Sequence, residues 1–326
     1  MKKNPERKMK NKIVALLALL LSSVGVDAQT HIPTSKIVCR DPFITVDREH
    51  GLYYLIKSKY GPDGARLFAY KSSDLEFWDE AGYVYHMPEG YKCPDDWWAP
   101  DTYFYNGKYY CFVTVSNQAK GIMRGTTVLR SDNGPLGPYR NIIPDDRIFI
   151  TPPGMQCLDG SLYVDDQGTP WMFFSVEWNG PNVVDSVGEV WCQQLNAELD
   201  GTVGDPVKLF RTSDAPWAKE PSGKSIVTDA PFVWRDEKSG NLIMLWSSFT
   251  NVYSMGQAIS QTGKPTGPWV HEKDAIFTDN GGHQMVFRDL KGNLKISFHS
   301  PNENPSILTI CDLKIKNGKF LPIKIK

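Results

Sequence analysis

The 326-residue chain has no run of basic residues beyond Lys12, and this removes a large class of function. Binding to nucleic acid through phosphate neutralisation needs clustered Lys and Arg. It has six cysteines, but no pair with the CxxC spacing of redox motifs or the spacings of zinc ligands. Cys39, Cys111, Cys192 and Cys311 fall inside apolar, strand-like runs, where cysteine is usually a small buried hydrophobe, so mostly free thiols are expected. After the N-terminal stretch no run approaches the roughly 18 consecutive apolar residues that a membrane helix needs, so a soluble chain is expected. No Pro/Ser-rich or low-complexity tract divides residues 29–326, which read as one domain large enough for a single core.

The first 28 residues have a different character. Six Lys/Arg precede Ile13, an apolar IVALLALLL follows, and SSVGVDA places Val26 and Ala28 where a signal peptidase reads. This order predicts a secretory signal peptide over 1–28 and a secreted or periplasmic product. Without it, 30 basic residues stand against 35 acidic ones, a mildly acidic balance that suits a neutral ligand. No cysteine follows the expected cleavage point closely, which argues against a lipid anchor.

What the chain does have is a repeated hairpin. The stretch from Cys157 to Glu177, CLDGSLYVDDQGTPWMFFSVE, reads as a strand, a turn through Asp165 to Gly168, and a returning apolar strand from Trp171 to Val176. RDPFITVDREHGLYYLIKS, APDTYFYNGKYYCFVTVS, TDAPFVWRDEKSGNLIMLWSS and GHQMVFRDLKGNLKISFHS repeat the pattern. Their polar anchors are Asp41, Asp101, Asp159, Asp229 and His283, spaced by 60, 58, 70 and 54 residues, and their turn glycines are Gly51, Gly107, Gly168, Gly240 and Gly292. A strand-rich unit at this period predicts an all-β, five-bladed β-propeller with about four strands per blade. Arg66 to Tyr70 and Ser72 to Trp78 are expected to be the outer strands of the first blade.

In a propeller the inner strands run along the central channel, so the five anchors should converge at one mouth. Gathered carboxylates raise each other's pKa unless a proton or a cation is shared. A pair that divides the tasks of proton donor and water activator is what cleavage of a glycosidic bond requires. The returning strand places Glu177 at the same mouth as Asp159. The other returning strands end at Lys57–Ser58, Ser116–Asn117, Ser248–Phe249 and His299–Ser300, without a carboxylate.

RDPF, WAPDTYFYNGKYY, LDGSLYVDDQGTPW, TDAPFVW and GGHQMVF together resemble the successive blade motifs of glycoside hydrolase family 43, over nearly the whole chain after residue 28. The resemblance implies a five-bladed propeller acting by inversion on arabinosyl, xylosyl or galactosyl linkages. It implies Asp41 as general base and Asp159 as the carboxylate that orients the acid and raises its pKa. It implies His283 as an axial histidine beside a calcium or other ion held largely by water. Asp101 matches a motif position without an assigned proton role and is taken as structural, although it is grouped with Trp98 and His283 as a candidate substrate-facing residue; Trp98 is either a sugar-stacking platform or an inward-facing core residue. Where the family usually has Glu, this chain has Asp229, about 1.5 Å shorter in reach.

Three readings of the acid follow. Asp229 serves; or Glu177 has taken over, the reading the sequence favours; or the site binds sugar without cleaving it. Glu220 is a weaker fourth candidate. The expected protein is a monomeric, exo-acting, inverting glycosidase of plant-type oligo- or polysaccharides. A catalytically inactive sugar-binding propeller and a fructoside-acting propeller are the alternatives.

Overall fold

The computed structural model describes residues 31–144, 146–180, 185–220 and 225–325. The expected signal peptide lies outside the described residues. Ile32–Lys326 form one compact unit.

Each expected hairpin is present and is extended by further antiparallel strands. The inner strands are Phe43–Asp47, Asp95–Tyr105, Cys157–Val164, Asp229–Arg235 and Gly282–Arg288. The second strands are Leu52–Ser58, Lys108–Asn117, Pro170–Val176, Leu242–Phe249 and Leu294–Ser300, and the first four blades each add two more. Each inner strand packs against the next, and the fifth against the first, so five blades close a ring about one axis. The turn glycines all adopt the left-handed conformation, with φ between 67° and 85°, which the hairpin turns require and glycine alone accepts without cost.

Ring closure falls to the N-terminal segment. Ile32–Pro33 add an edge to the outer strand Phe77–His86 of blade 1. A few residues on, Cys39 N–H donates to Ser306 O (2.9 Å) and Ile37 O accepts from Leu308 N–H (3.0 Å) in blade 5. One short stretch thus holds the first and last blades together.

Two expectations need correction. Ser72 to Trp78 is mostly a turn: the Asp74 carboxylate accepts the N–H groups of Glu76 (2.8 Å) and Phe77 (2.9 Å), and the strand starts only at Phe77. Such an Asx turn competes with strand pairing. The single core is, in fact, four apolar clusters lying in the seams between blades. A blade is a sheet with two faces to cover, and its neighbours cover them. All six cysteines are free, five of them buried, as the sequence leads one to expect.

Candidate active site

The inner strands enter the hub through a kink. Asp41, Ala99, Asp159, Ala230 and His283 all have φ between 47° and 56°, and in blades 2 to 5 the pairing shifts at this point, marking a β-bulge. These five residues are therefore the structurally equivalent ones. Asp41, Asp159 and His283 occupy the equivalent position as expected, but Asp101 sits two residues beyond it and Asp229 one residue before it. Spacing in sequence could not reveal the slip, because a bulge inserts a residue without changing the composition around it.

The slip decides which side chains face the hub cavity. Arg40, Trp98, Leu158 and Asp229, each preceding a kink, line one cavity of about 710 Å³ together with Asp41, Asp159, Glu177, Tyr253 and His283. Asp101 does not line it; Tyr103 Oη donates to its carboxylate at 3.2 Å, further along the axis. The structural reading of Asp101 agrees with this placement, and its grouping with the substrate-facing residues is corrected. Gly282 holds the fifth preceding position, where a Cβ would come within 2.4 Å of the Tyr253 ring.

His283 is the electrostatic centre. Its Nδ1 lies 3.0 Å from Asp41 Oδ1 and 3.8 Å from Asp159 Oδ2. Burial alone would discharge the ring, but Asp41 and Asp159 outweigh it and push its pKa up to about 10. The partnership is reciprocal. Burial would raise Asp41, yet the His283 imidazolium beside it, helped by the Arg40 guanidinium, holds that carboxyl well below the usual range. Asp159 and Asp229 go the other way. Burial raises both, and the charge of Asp159 raises Asp229 further. Asp159 Oδ2 accepts the Ala230 N–H (2.9 Å), which brings it against the Asp229 segment, and Tyr253 Oη donates to Asp229 Oδ2 (3.0 Å).

Glu177 stands at the mouth, as its place at the end of the returning strand implies, but its partners are those of an anion. Arg124 Nη1 donates to both carboxylate oxygens (2.8 and 2.9 Å) and Gln156 Nε2 donates to Oε2 (2.6 Å). The same guanidinium lies over the Trp98 ring at 4.6 Å and pairs with Asp96 at 3.1 Å. With both oxygens taken by donors from Arg124 and Gln156, these contacts run against the preference for Glu177 as donor. Trp98 is 41% exposed, with Arg124 across its ring. Glu220 accepts the Ser225 N–H at 3.4 Å and does not line the cavity.

The donors present do not make a protein cage for a divalent ion. His283 turns Nδ1 to Asp41, and among the described residues no three His, Cys, Asp or Glu side chains converge on a metal position.

Sequence reasoning missed Tyr253, Arg124 and His299. The first two lie on third strands, where no motif marks them. His299 was visible as a strand end but carries no carboxylate.

A five-bladed ring whose hub cavity holds one carboxyl with its pKa pressed down and others with theirs raised has the acid and base chemistry of a propeller glycosidase. Residues 30–312 match the family described as glycosyl hydrolases family 43, and the chain belongs to it. An endo-arabinase structure from Bacteroides thetaiotaomicron is 44% identical with a TM-score of 0.81, covering 89% of this chain and 99% of that one. An extracellular exo-α-(1→5)-L-arabinofuranosidase from Cellvibrio japonicus is 23% identical over 86% of this chain and 77% of its own length. A structure of an endo-1,4-β-xylanase from the same Bacteroides species, 20% identical with a TM-score of 0.71 over 91% of this chain and 97% of that one, shares the fold.

Proposed function

We propose that the protein is an inverting, exo-acting glycosidase for α-L-arabinofuranosyl linkages, with Asp41 as general base and Asp229 as general acid. The observation that carries this is the opposite displacement of carboxyls on one cavity: His283 holds the pKa of Asp41 down, while burial and mutual charge raise Asp159 and Asp229, and Asp229, in the register where the family has its Glu, is assigned the shared proton. In the reaction, Asp229 gives its proton to the departing glycosidic oxygen. Asp41 takes a proton from the water that attacks the anomeric carbon from the opposite face. His283 keeps Asp41 charged, Asp159 keeps the acid proton in place, and Trp98 offers a flat apolar face to the sugar ring. The arabinofuranosyl preference is drawn from the relatives, two of which bear arabinan-directed names. Export follows from the N-terminal sequence, and a monomer acting on oligo- or polysaccharide is the working state.

An axial ion would sit in water-held form against His283.

The test is hydrolysis of aryl α-L-arabinofuranosides, β-xylosides and galactosides, with the anomer of the first-formed product read by proton NMR. Fastest turnover on the arabinofuranoside, with inverted product, is expected. Release of single sugars from an oligosaccharide supports the exo mode, and mid-chain cleavage overturns it. Retained configuration would point to a nucleophile and to the fructosidase-like alternative. One observation favours a second reading, a sugar-binding propeller: Asp229 is shorter than the family's Glu. Oligosaccharide binding with no hydrolysis across the panel would establish it.

A further inference from the structure

The backbone of Asp41 is in a conformation that non-glycine residues adopt reluctantly, with φ at 52°. Its amide must therefore be held in place by something other than a strand partner. The acceptor is His299 Nδ1, at 3.2 Å. With Nδ1 accepting, the ring proton sits on Nε2 and donates to Asn302 Oδ1, also at 3.2 Å. Asn302 is fixed in turn by Arg40, whose Nη2 donates to Oδ1 (3.0 Å) and whose Nη1 donates to the main-chain oxygen (2.6 Å). Arg40 precedes Asp41, so the chain of contacts closes on itself.

The same ring reaches the other carboxylate. His299, wholly buried, lies nearly parallel to Tyr253, with centroids 5.7 Å apart and planes at 12°. Tyr253 Oη donates to Asp229 Oδ2. We infer that His299 is a positioning residue for both carboxylates: it holds the main chain of Asp41 by accepting its N–H, and through Tyr253 it sets the place of Asp229. The inference rests on the assignment of Asp41 and Asp229 as base and acid. Burial pushes the His299 pKa down to about 4, which leaves the Nδ1 lone pair free to accept under ordinary conditions. Two histidines thus serve one aspartate differently: His283 as a cation on the side chain, His299 as a neutral acceptor on the backbone.

The competing account is that His299 merely fills space, in which case phenylalanine should do as well. The test compares His299→Phe, His299→Asn, Tyr253→Phe and Asp41→Asn on two glycosides of the preferred sugar, one with a poor and one with an activated aryl leaving group. His299→Phe keeps the ring and loses the acceptor, so kcat should fall about 10–10²-fold on both substrates with KM within about threefold. His299→Asn restores an acceptor oxygen near Nδ1 and should recover about tenfold over the Phe variant. Tyr253→Phe acts through the acid, so its loss should appear on the poor leaving group and shrink on the activated one.

The inference is overturned if His299→Phe keeps kcat within about threefold, if its loss falls on KM alone, or if Asn is no better than Phe. Should His299→Phe fail to fold, Asn302→Leu, which removes the acceptor for Nε2–H, is read instead; an unchanged kcat there overturns the inference too. An inactive Asp41→Asn beside a fully active His299→Phe sinks only the inference. A fully active Asp41→Asn sinks the assignment of the base beneath it.

Discussion

Asp229 carries the greatest departure from the family pattern, and its surroundings show how a shorter carboxylate is accommodated. It precedes the kink at Ala230, lines the cavity and is held by Tyr253, for which Gly282 leaves the necessary room. With Asp229 as the proposed acid, its raised pKa should set the alkaline limb of the pH–rate profile, activity being lost as pH climbs through that value and the proton leaves. Asp229→Ala should therefore abolish that limb, cripple natural linkages and largely spare an activated aryl glycoside. Glu177→Gln should leave the limb in place and raise KM, because it loosens Arg124 beneath Trp98; loss of the limb in this variant instead would return the acid role to Glu177. At the other carboxylate, Asp41→Asn keeps the shape and loses the base, and kcat should drop about 10²–10⁴-fold with little change in KM. Kinetics within about threefold of the parent would remove Asp41 from the mechanism.

Among the elements, the short outer strand Val270–His271 of blade 4 carries a titration of its own. The His271 ring packs edge-on against Phe210 (4.4 Å) and beside Trp246 (5.6 Å), and neither ring nitrogen meets a hydrogen-bond partner among the described residues. Burial lowers its pKa to about 4, against the weaker pull of Asp214. Between that value and 6.5 the unfolded chain binds a proton at His271 and the folded chain does not, so its contribution to stability is present above 6.5 and lost as pH falls toward 4. His271→Phe removes this term alone. The variant should gain Tm relative to the parent as pH is lowered from 7 to 4.5, with the difference constant above 7; a difference independent of pH would show that His271 does not titrate there. Elements also show how far the residues alone could be read. The hairpins were legible because alternating apolar strands and turn glycines are local features. The bulges at Trp98–Asp101 and Asp229–Phe232 were not, because a bulge is defined by the partner strand.

On the scale of the whole ring, the hub gathers Asp41, Asp101, Asp159, Asp229 and His283 about one axis, and burial answers the crowding in part by raising the pKa of three of the carboxyls. The proton on His283 offsets part of the charge that remains. A water-held calcium would offset more, and dialysis against a chelator tests for it: a fall in Tm restored by added calcium is the expected outcome, and an unchanged Tm would leave the His283 proton as the cation of the axis. Closure of the ring by Ile37–Cys39 makes stability at this scale depend on a seam between residues far apart in the chain. Among the described residues no helix is long and apolar enough to cross a membrane.

The sequence by itself determined the all-β class, the number of blades and the aspartates that mark the first and third of them, because strand periodicity, turn chemistry and repeat length are properties of contiguous residues. Only the tertiary structure decided which carboxylates share the cavity, that Asp101 stands outside it, that Glu177 is tied up by Arg124, and that His299 supports the main chain of Asp41. Those outcomes depend on contacts between strands 24 to 258 positions apart. The pKa of a buried group is set by such neighbours and by the depth of burial, neither of which a local pattern contains.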